Sequence, residues 1–159
     1  MRISVICHGI RSVHNVGSIF RTADAAGVEK IYLCGITPNP RDRFGKIRPD
    51  FAKVSLGAEK SVAFESARTT EEAIAKLKAD GWIILALEQS PNSIPYDQIQ
   101  NSLLAPRALC LILGSEVLGL PSPILALADH IIEIPMRGKK ESLNVAVAFG
   151  IAIFEIAKS

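Results

Sequence analysis

The chain lacks the usual signatures for holding a nucleotide, a metal or a covalent intermediate. No G-x-G-x-x-G occurs anywhere, so the fingerprint whose glycines bring backbone up to a dinucleotide pyrophosphate is missing. Residues 114–119 have the glycine spacing that opens a phosphate-binding loop, but Leu120-Pro121 stands where Lys-Ser/Thr is required, which removes kinase and NTPase chemistry. His8, His14 and His130 are scattered without ligand spacing, so metal catalysis has no support and no metal is expected. No Ser or Cys sits in a nucleophile elbow. Cys7, Cys34 and Cys110 are odd in number, far apart and set in or at the ends of apolar runs, which fits buried reduced thiols of a cytoplasmic protein rather than a disulfide framework. No charged-then-apolar leader opens the sequence, and the long apolar stretch 143–157 is short for a bilayer and interrupted by Asn144 and Glu155. A soluble chain without a membrane partner is expected. Internal repeats and low-complexity tracts are absent as well.

What is present suits one domain over residues 1–159, because 159 residues with 48% hydrophobic content can bury a single core without staples. Apolar runs of strand length recur at 3–7, 31–34, 82–87, 109–113 and 131–134, separated by helix-like or loop-like segments, which is the alternation of an α/β protein. Residues 15–26 carry Val16, Ile19, Phe20 and Ala23 at i, i+3, i+4 and i+7, closed by Gly27, and predict an amphipathic helix. Residues 70–79 predict another. Between 88 and 106, Pro91, Pro95 and Pro106 limit any helix to a short piece around Tyr96 to Leu104. Residues 143–157 predict a last helix that is apolar almost all round, with Asn144 and Glu155 on one thin polar stripe. Such a helix needs cover on two sides, so a homodimer is expected.

In an open, mostly parallel sheet with helices on both faces, loops leaving the carboxyl ends of the strands share one edge. Two polar, glycine-containing loops, 114–121 and 135–144, each follow an apolar run and would converge there on one crevice. The net charge of +2 is mild but uneven: Arg41, Arg43, Lys46, Arg48 and Lys53 stand against only Asp42 and Asp50, and Arg137, Lys139 and Lys140 lie inside the second loop. A third polar segment, from His14 to Asp24, begins where the first strand ends. With its apolar stripe inward, His14, Gly17 and Arg21 share the opposite face, so the Arg21 guanidinium is uncrowded on its amino-terminal side and could receive a phosphate. Read alone, Arg21 is equally a solvated helix residue, Asn15 a plain N-cap, Ser142 a cap of the last helix and Glu116 a pin for its own loop.

Three segments carry a resemblance: Asn15-Val-Gly-Ser-Ile-Phe-Arg-Thr-Ala23, Leu113-Gly-Ser-Glu-Val-Leu-Gly119 and Ile134-Pro-Met-Arg-Gly-Lys-Lys-Glu-Ser-Leu-Asn-Val-Ala-Val-Ala148. In order and spacing they resemble the three motifs of the SpoU (TrmH) family of S-adenosylmethionine-dependent RNA 2′-O-ribose methyltransferases, within the SPOUT superfamily. The likeness runs from the first strand to the final helix, and without an added amino-terminal RNA-binding domain the chain looks like a minimal member. It implies a carboxy-terminal trefoil knot, a dimer, and a tRNA or rRNA substrate. By similarity, S-adenosylmethionine would lie among Leu113, Gly114, Ile134, Met136, Ser142 and Leu143, largely on main-chain groups. Asn15, Arg21, Glu116, Ser142 and Asn144 would be the catalytic set, with Arg21 binding a phosphate next to the target ribose and stabilising the developing alkoxide. A methyltransferase-like protein without turnover and a non-catalytic α/β module for RNA or a small anion are the competing readings; equilibrium binding of S-adenosylhomocysteine separates the module from both.

Overall fold

The computed structural model describes residues 1–99 and 108–158. Its strands are β1 (Arg2–His8), β2 (Lys30–Cys34), β3 (Ala63–Ala67), β4 (Ile83–Leu87), β5 (Ile94–Pro95), β6 (Ala108–Leu113) and β7 (His130–Glu133). They form one sheet in the order β3-β2-β1-β6-β4-β7-β5, with every pairing parallel. The five apolar runs are five of these strands. β3 and β5 gave no such signal: both lie at sheet edges, β3 is partly exposed along its length, and β5 is two residues long. Edge strands need little apolar content.

The described helices are α1 (Val13–Ala25), α2 (Pro49–Ser55), α3 (Ala58–Ser61), α4 (Thr70–Ala79), α5 (Ser122–Leu127) and α6 (Val145–Ile156). Side chains alternate across a strand, and the sheet accordingly feeds two cores. Ile3, Val5 and Cys7 of β1 join Leu109, Leu111 and Leu113 of β6 against α1, α2 and α6, whereas Ile6, Cys110 and Ile112 face α4 and α5. Phe20 of α1 centres the first core, edge-on to Phe51 at 5.1 Å and to Phe64 at 5.7 Å, a favourable aromatic geometry. All three thiols are buried and unpaired. Burial pushes them up, Cys34 to about 11, so none is poised as a nucleophile.

Three local expectations are corrected. α1 begins before Asn15, because the Ser12 hydroxyl caps it by accepting from Asn15 N at 3.1 Å; Ser and Asn are comparable caps and the sequence offers both. The last helix is capped by Asn144, whose Oδ1 accepts from Ala146 N at 2.9 Å and Val147 N at 3.3 Å, so Ser142 is not its cap. Gly17 does not face open space: it is buried, and a Cβ there would lie 2.9 Å from Val54 Cβ, so α2 covers that side of α1. The short helix expected around Tyr96 to Leu104 falls largely outside the described residues. Among those described, no helix is long and apolar enough to cross a membrane.

The α1–α2 contact has a measurable consequence. A branched side chain at position 17 must displace Val54, and overpacking costs about 1–3 kcal/mol. Gly17→Val should therefore lower stability by that amount, read as a lower urea midpoint at unchanged slope.

Candidate active site

The sheet order sets the site. β1 has β2 on one side and β6 on the other, so the chain's direction across the sheet reverses there, and crevices form at the carboxyl ends near such a point. A cavity of about 360 Å³ opens at the ends of β6, β4 and β7. All six residues expected around a cofactor line it: Leu113 and Gly114 after β6, Ile134 and Met136 after β7, and Ser142 and Leu143 before α6. Glu116 and Asn144 line it too.

Backbone approach explains Gly114. A Cβ there would lie 2.6 Å from the carbonyl carbon of Gly119 and 2.8 Å from Leu120 N, because the loop folds back on itself through a Ser115–Gly119 bridge, with Gly119 N donating to Ser115 O at 3.0 Å. Gly119 turns the corner at φ +63°, a conformation that favours glycine. The wall of the cavity here is main chain, flanked by apolar Leu87, Ile134, Met136 and Leu143. A close main-chain wall between apolar faces suits a flat ring such as a purine, and the volume falls within the range of small-molecule sites.

Sequence reasoning passed over Glu88. Its carboxylate accepts from Leu120 N at 2.8 Å and Gln89 N at 2.9 Å, and the Gln89 amide donates to Glu141 O at 2.6 Å. The end of β4 thus pins the loops that follow β6 and β7. Only the strand order, with β4 between β6 and β7, makes this readable.

A second network joins segments more than 100 residues apart. The Glu116 carboxylate accepts from Arg11 N at 3.2 Å, Ser12 N at 3.1 Å and Asn15 Nδ2 at 3.2 Å. Asn15 Oδ1 in turn accepts from Asn144 Nδ2 at 3.0 Å, and Asn144 caps α6. Glu116 therefore pins the start of α1 as well as its own loop. Partial burial raises its carboxyl, but backbone N–H groups of Glu116, Ser12 and Arg11 and the Asn15 amide outweigh this and hold it below its ordinary value. Asn15 is only 8% exposed, and its amide is satisfied on both ends.

Arg21 is placed differently. It is exposed and lines a second groove with His14, Ser18, Thr22, Asp50, Lys53 and Phe154; it is not among the residues lining the cavity. Six residues separate it from Asn15, about 9 Å along α1, and the ten from Asn144 to Phe154 span about 15 Å of α6. Within the chain the structure brings Asn15, Glu116, Ser142 and Asn144 to the cavity region and leaves Arg21 in a groove of its own. Arg137, Lys139 and Lys140 are exposed on the loop before α6. Among the described residues, no group of three or more His, Cys, Asp or Glu could hold a metal.

The SpoU rRNA Methylase family model matches residues 2–154. The chain is 35% identical over 153 residues to the tRNA (guanosine(18)-2'-O)-methyltransferase of Escherichia coli (strain K12), covering 96% of this chain and 62% of that protein. Its fold is similar to that of the AdoMet-bound rRNA methyltransferase from Sinorhizobium meliloti, with a TM-score of 0.87 and 30% identity over 99% of this chain and 56% of that one. It is also similar to the A. aeolicus TrmH/SpoU tRNA modifying enzyme, with a TM-score of 0.80 and 28% identity over 98% and 74% of the two chains. The chain spans about three fifths of the length of the curated relatives it matches.

Because the Glu116 carboxyl is depressed in the fold, its stabilising contribution is complete above its ordinary value of 4.5 and is lost as pH falls through the lower folded value. Denaturation midpoints of the wild type should therefore drop on acidification below that pH more steeply than those of Glu116→Gln. Parallel curves would show that this carboxylate does not tie the loops together.

Proposed function

The chain belongs to the SpoU methylase family, and from that premise we propose that it transfers a methyl group from S-adenosylmethionine to a ribose 2′-hydroxyl of tRNA or rRNA. The observation that carries this reading is the hydrogen-bonded set Glu116, Asn15 and Asn144 beside a glycine-walled cavity at the carboxyl edge of the sheet. Leu113, Gly114, Ile134, Met136, Ser142 and Leu143 would hold the cofactor, main chain at the adenine edge and apolar side chains over its faces. When bound, it supplies a methyl group already activated on a sulfonium. The protein's own task is then to hold the ribose oxygen in line and to stabilise charge as it loses its proton. A guanidinium donates hydrogen bonds and does not act as a proton acceptor in proteins. Arg21 therefore binds the phosphate beside the target ribose and stabilises the developing alkoxide, while that phosphate or a water takes the proton. Asn15, Glu116, Ser142 and Asn144 orient these groups.

A homodimer supports this chemistry. Leu143, Val147, Ile151 and Phe154 recur at i, i+4, i+8 and i+11 and are 39, 51, 37 and 48% exposed, an apolar stripe that a second copy covers through a symmetric interface. Phe154 also borders the Arg21 groove, so the face that meets the partner carries Arg21 with it, and Arg21 serves the partner's cavity. The basic residues Arg41 to Lys53 and Arg137 to Lys140 supply salt-sensitive phosphate contacts. One domain over residues 1–159 is supported by the single sheet, a carboxy-terminal trefoil knot by family membership, and a cytoplasmic location by the unpaired thiols. The competing reading, a non-catalytic RNA- or anion-binding module, predicts no affinity for S-adenosylhomocysteine.

Arg21→Ala should keep S-adenosylhomocysteine affinity near that of the wild type and cut ribose methylation by at least about 100-fold, the scale of a lost catalytic group. Met136→Glu should abolish cofactor binding. Mixing the two inactive variants should restore activity if Arg21 acts across subunits, and leave none if it acts within its own. Ribose-methylation mapping of total RNA from cells with and without the protein identifies the substrate; an unchanged map overturns the activity.

A further inference from the structure

We propose that residues 39–48 are an RNA-docking finger, in which Phe44 stacks on an unpaired base and Arg41, Arg43 and Lys46 contact the flanking phosphates. The proposal rests on the reading of RNA as substrate and adds a subsite to it.

The finger is built as a rigid object. At its root Thr37 is buried, its hydroxyl 2.8 Å from Cys34 O and 3.0 Å from Cys7 O while accepting from Ile10 N at 3.1 Å. Asn39 donates to Ser66 Oγ at 3.0 Å and accepts from Arg41 N at 2.8 Å, and Arg48 N closes on Pro40 O at 2.8 Å. At the tip, Asp42 Oδ1 accepts from Phe44 N at 2.8 Å and Lys46 N at 3.0 Å, Gly45 turns at φ +78°, and Arg41 bridges Ile47. Asp42 and Gly45 are what the turn requires. An aromatic side chain at position 44 is not, yet the ring stands 74% exposed with the Arg43 guanidinium 4.9 Å from its centroid. Leaving a Phe ring in water forgoes the free energy of its burial, so the position favours a partner for the ring.

Charge identifies that partner. Asp42 is turned inward onto the tip's own amides, and Asp50 beyond the finger pairs with Arg48 at 2.8 Å. What the tip presents outward is cationic around a flat ring, the combination that binds unpaired, stacked nucleotides. Position agrees. The finger leaves the carboxyl end of β2, two strand spacings from β6 and so about 10 Å along the edge that carries the cavity. It runs directly into α2, whose Asp50, Lys53 and Val54 line the Arg21 groove.

The test uses the full chain as wild type, Phe44→Ala and Phe44→Trp, with unmodified tRNA transcripts and a single-stranded 12-mer as probes. Loss of one stacking contact should weaken affinity for the single-stranded probe about 5- to 150-fold in Phe44→Ala, with S-adenosylhomocysteine affinity and mass by light scattering unchanged. Phe44→Trp should restore binding, and its fluorescence should quench on the oligonucleotide. Unchanged RNA affinity in Phe44→Ala overturns the proposal. So does a dimer turning monomeric, which would make Phe44 a subunit contact, or a loss of affinity for an acidic peptide with RNA affinity intact. A wild-type chain that binds RNA through Phe44 but has no affinity for S-adenosylhomocysteine keeps the finger and removes the methyltransferase reading. One that methylates RNA equally well with alanine at position 44 does the reverse.

Discussion

The Glu116 carboxylate is the knot of interactions on which the site depends. Its two oxygens collect donors from Arg11, Ser12 and Asn15, and Asn15 passes the constraint to Asn144. Three loops that leave different strands are thereby held in one relative position. A carboxylate at the amino-terminal end of α1 is also favoured by the helix's own partial charge there. Removing it would take away the one acceptor that these three donors share and so release the start of α1 from the loop after β6. Fixing the loops is what makes a cavity out of segments that would otherwise move independently.

Around this tie, the cavity is shaped mainly by backbone. Gly114 allows the loop after β6 to close on Gly119 and Leu120, and Glu88 fastens the same loop from the neighbouring strand. A wall made of close main chain carries almost no side-chain signature, so it matches none of the familiar nucleotide motifs. The selective elements are positions where a side chain cannot be tolerated rather than positions where one reacts.

The third constraint is sidedness. α6 buries Phe149, Ala152, Ile153 and Ile156 against α1 and the sheet and leaves Val147, Ile151 and Phe154 outward, in line with Leu143 on the loop before it. That outward stripe connects the cavity end of the helix to the Arg21 groove, so covering it and completing the site are one event in the proposed dimer. Cationic groups stand at both ends of the stripe, with Arg137, Lys139 and Lys140 on the loop that also carries Leu143 and with Arg21 and Lys53 in the groove that Phe154 borders.

Much of this was determined by sequence alone. Periodicity marked the central strands and the cores of α1, α4 and α6, because burial on one or two faces dictates residue type at fixed spacing. The three motif segments identified the family, and the residues expected at the cavity line it. Other features had no local cause and were decided only by tertiary structure. Edge strands β3 and β5 lack apolar pattern since little of them needs burial. The choice of Ser12 over Asn15, and of Asn144 over Ser142, as caps turned on long-range partners for the asparagines. Helix spacing leaves the side of α1 at Gly17 open, and only α2 packed opposite closes it, while the role of Glu88 exists only because β4 lies between β6 and β7. The separation of Arg21 from the cavity is of the same kind: a helix fixes rise and face, but which groove its far turn enters is set by what packs beside it.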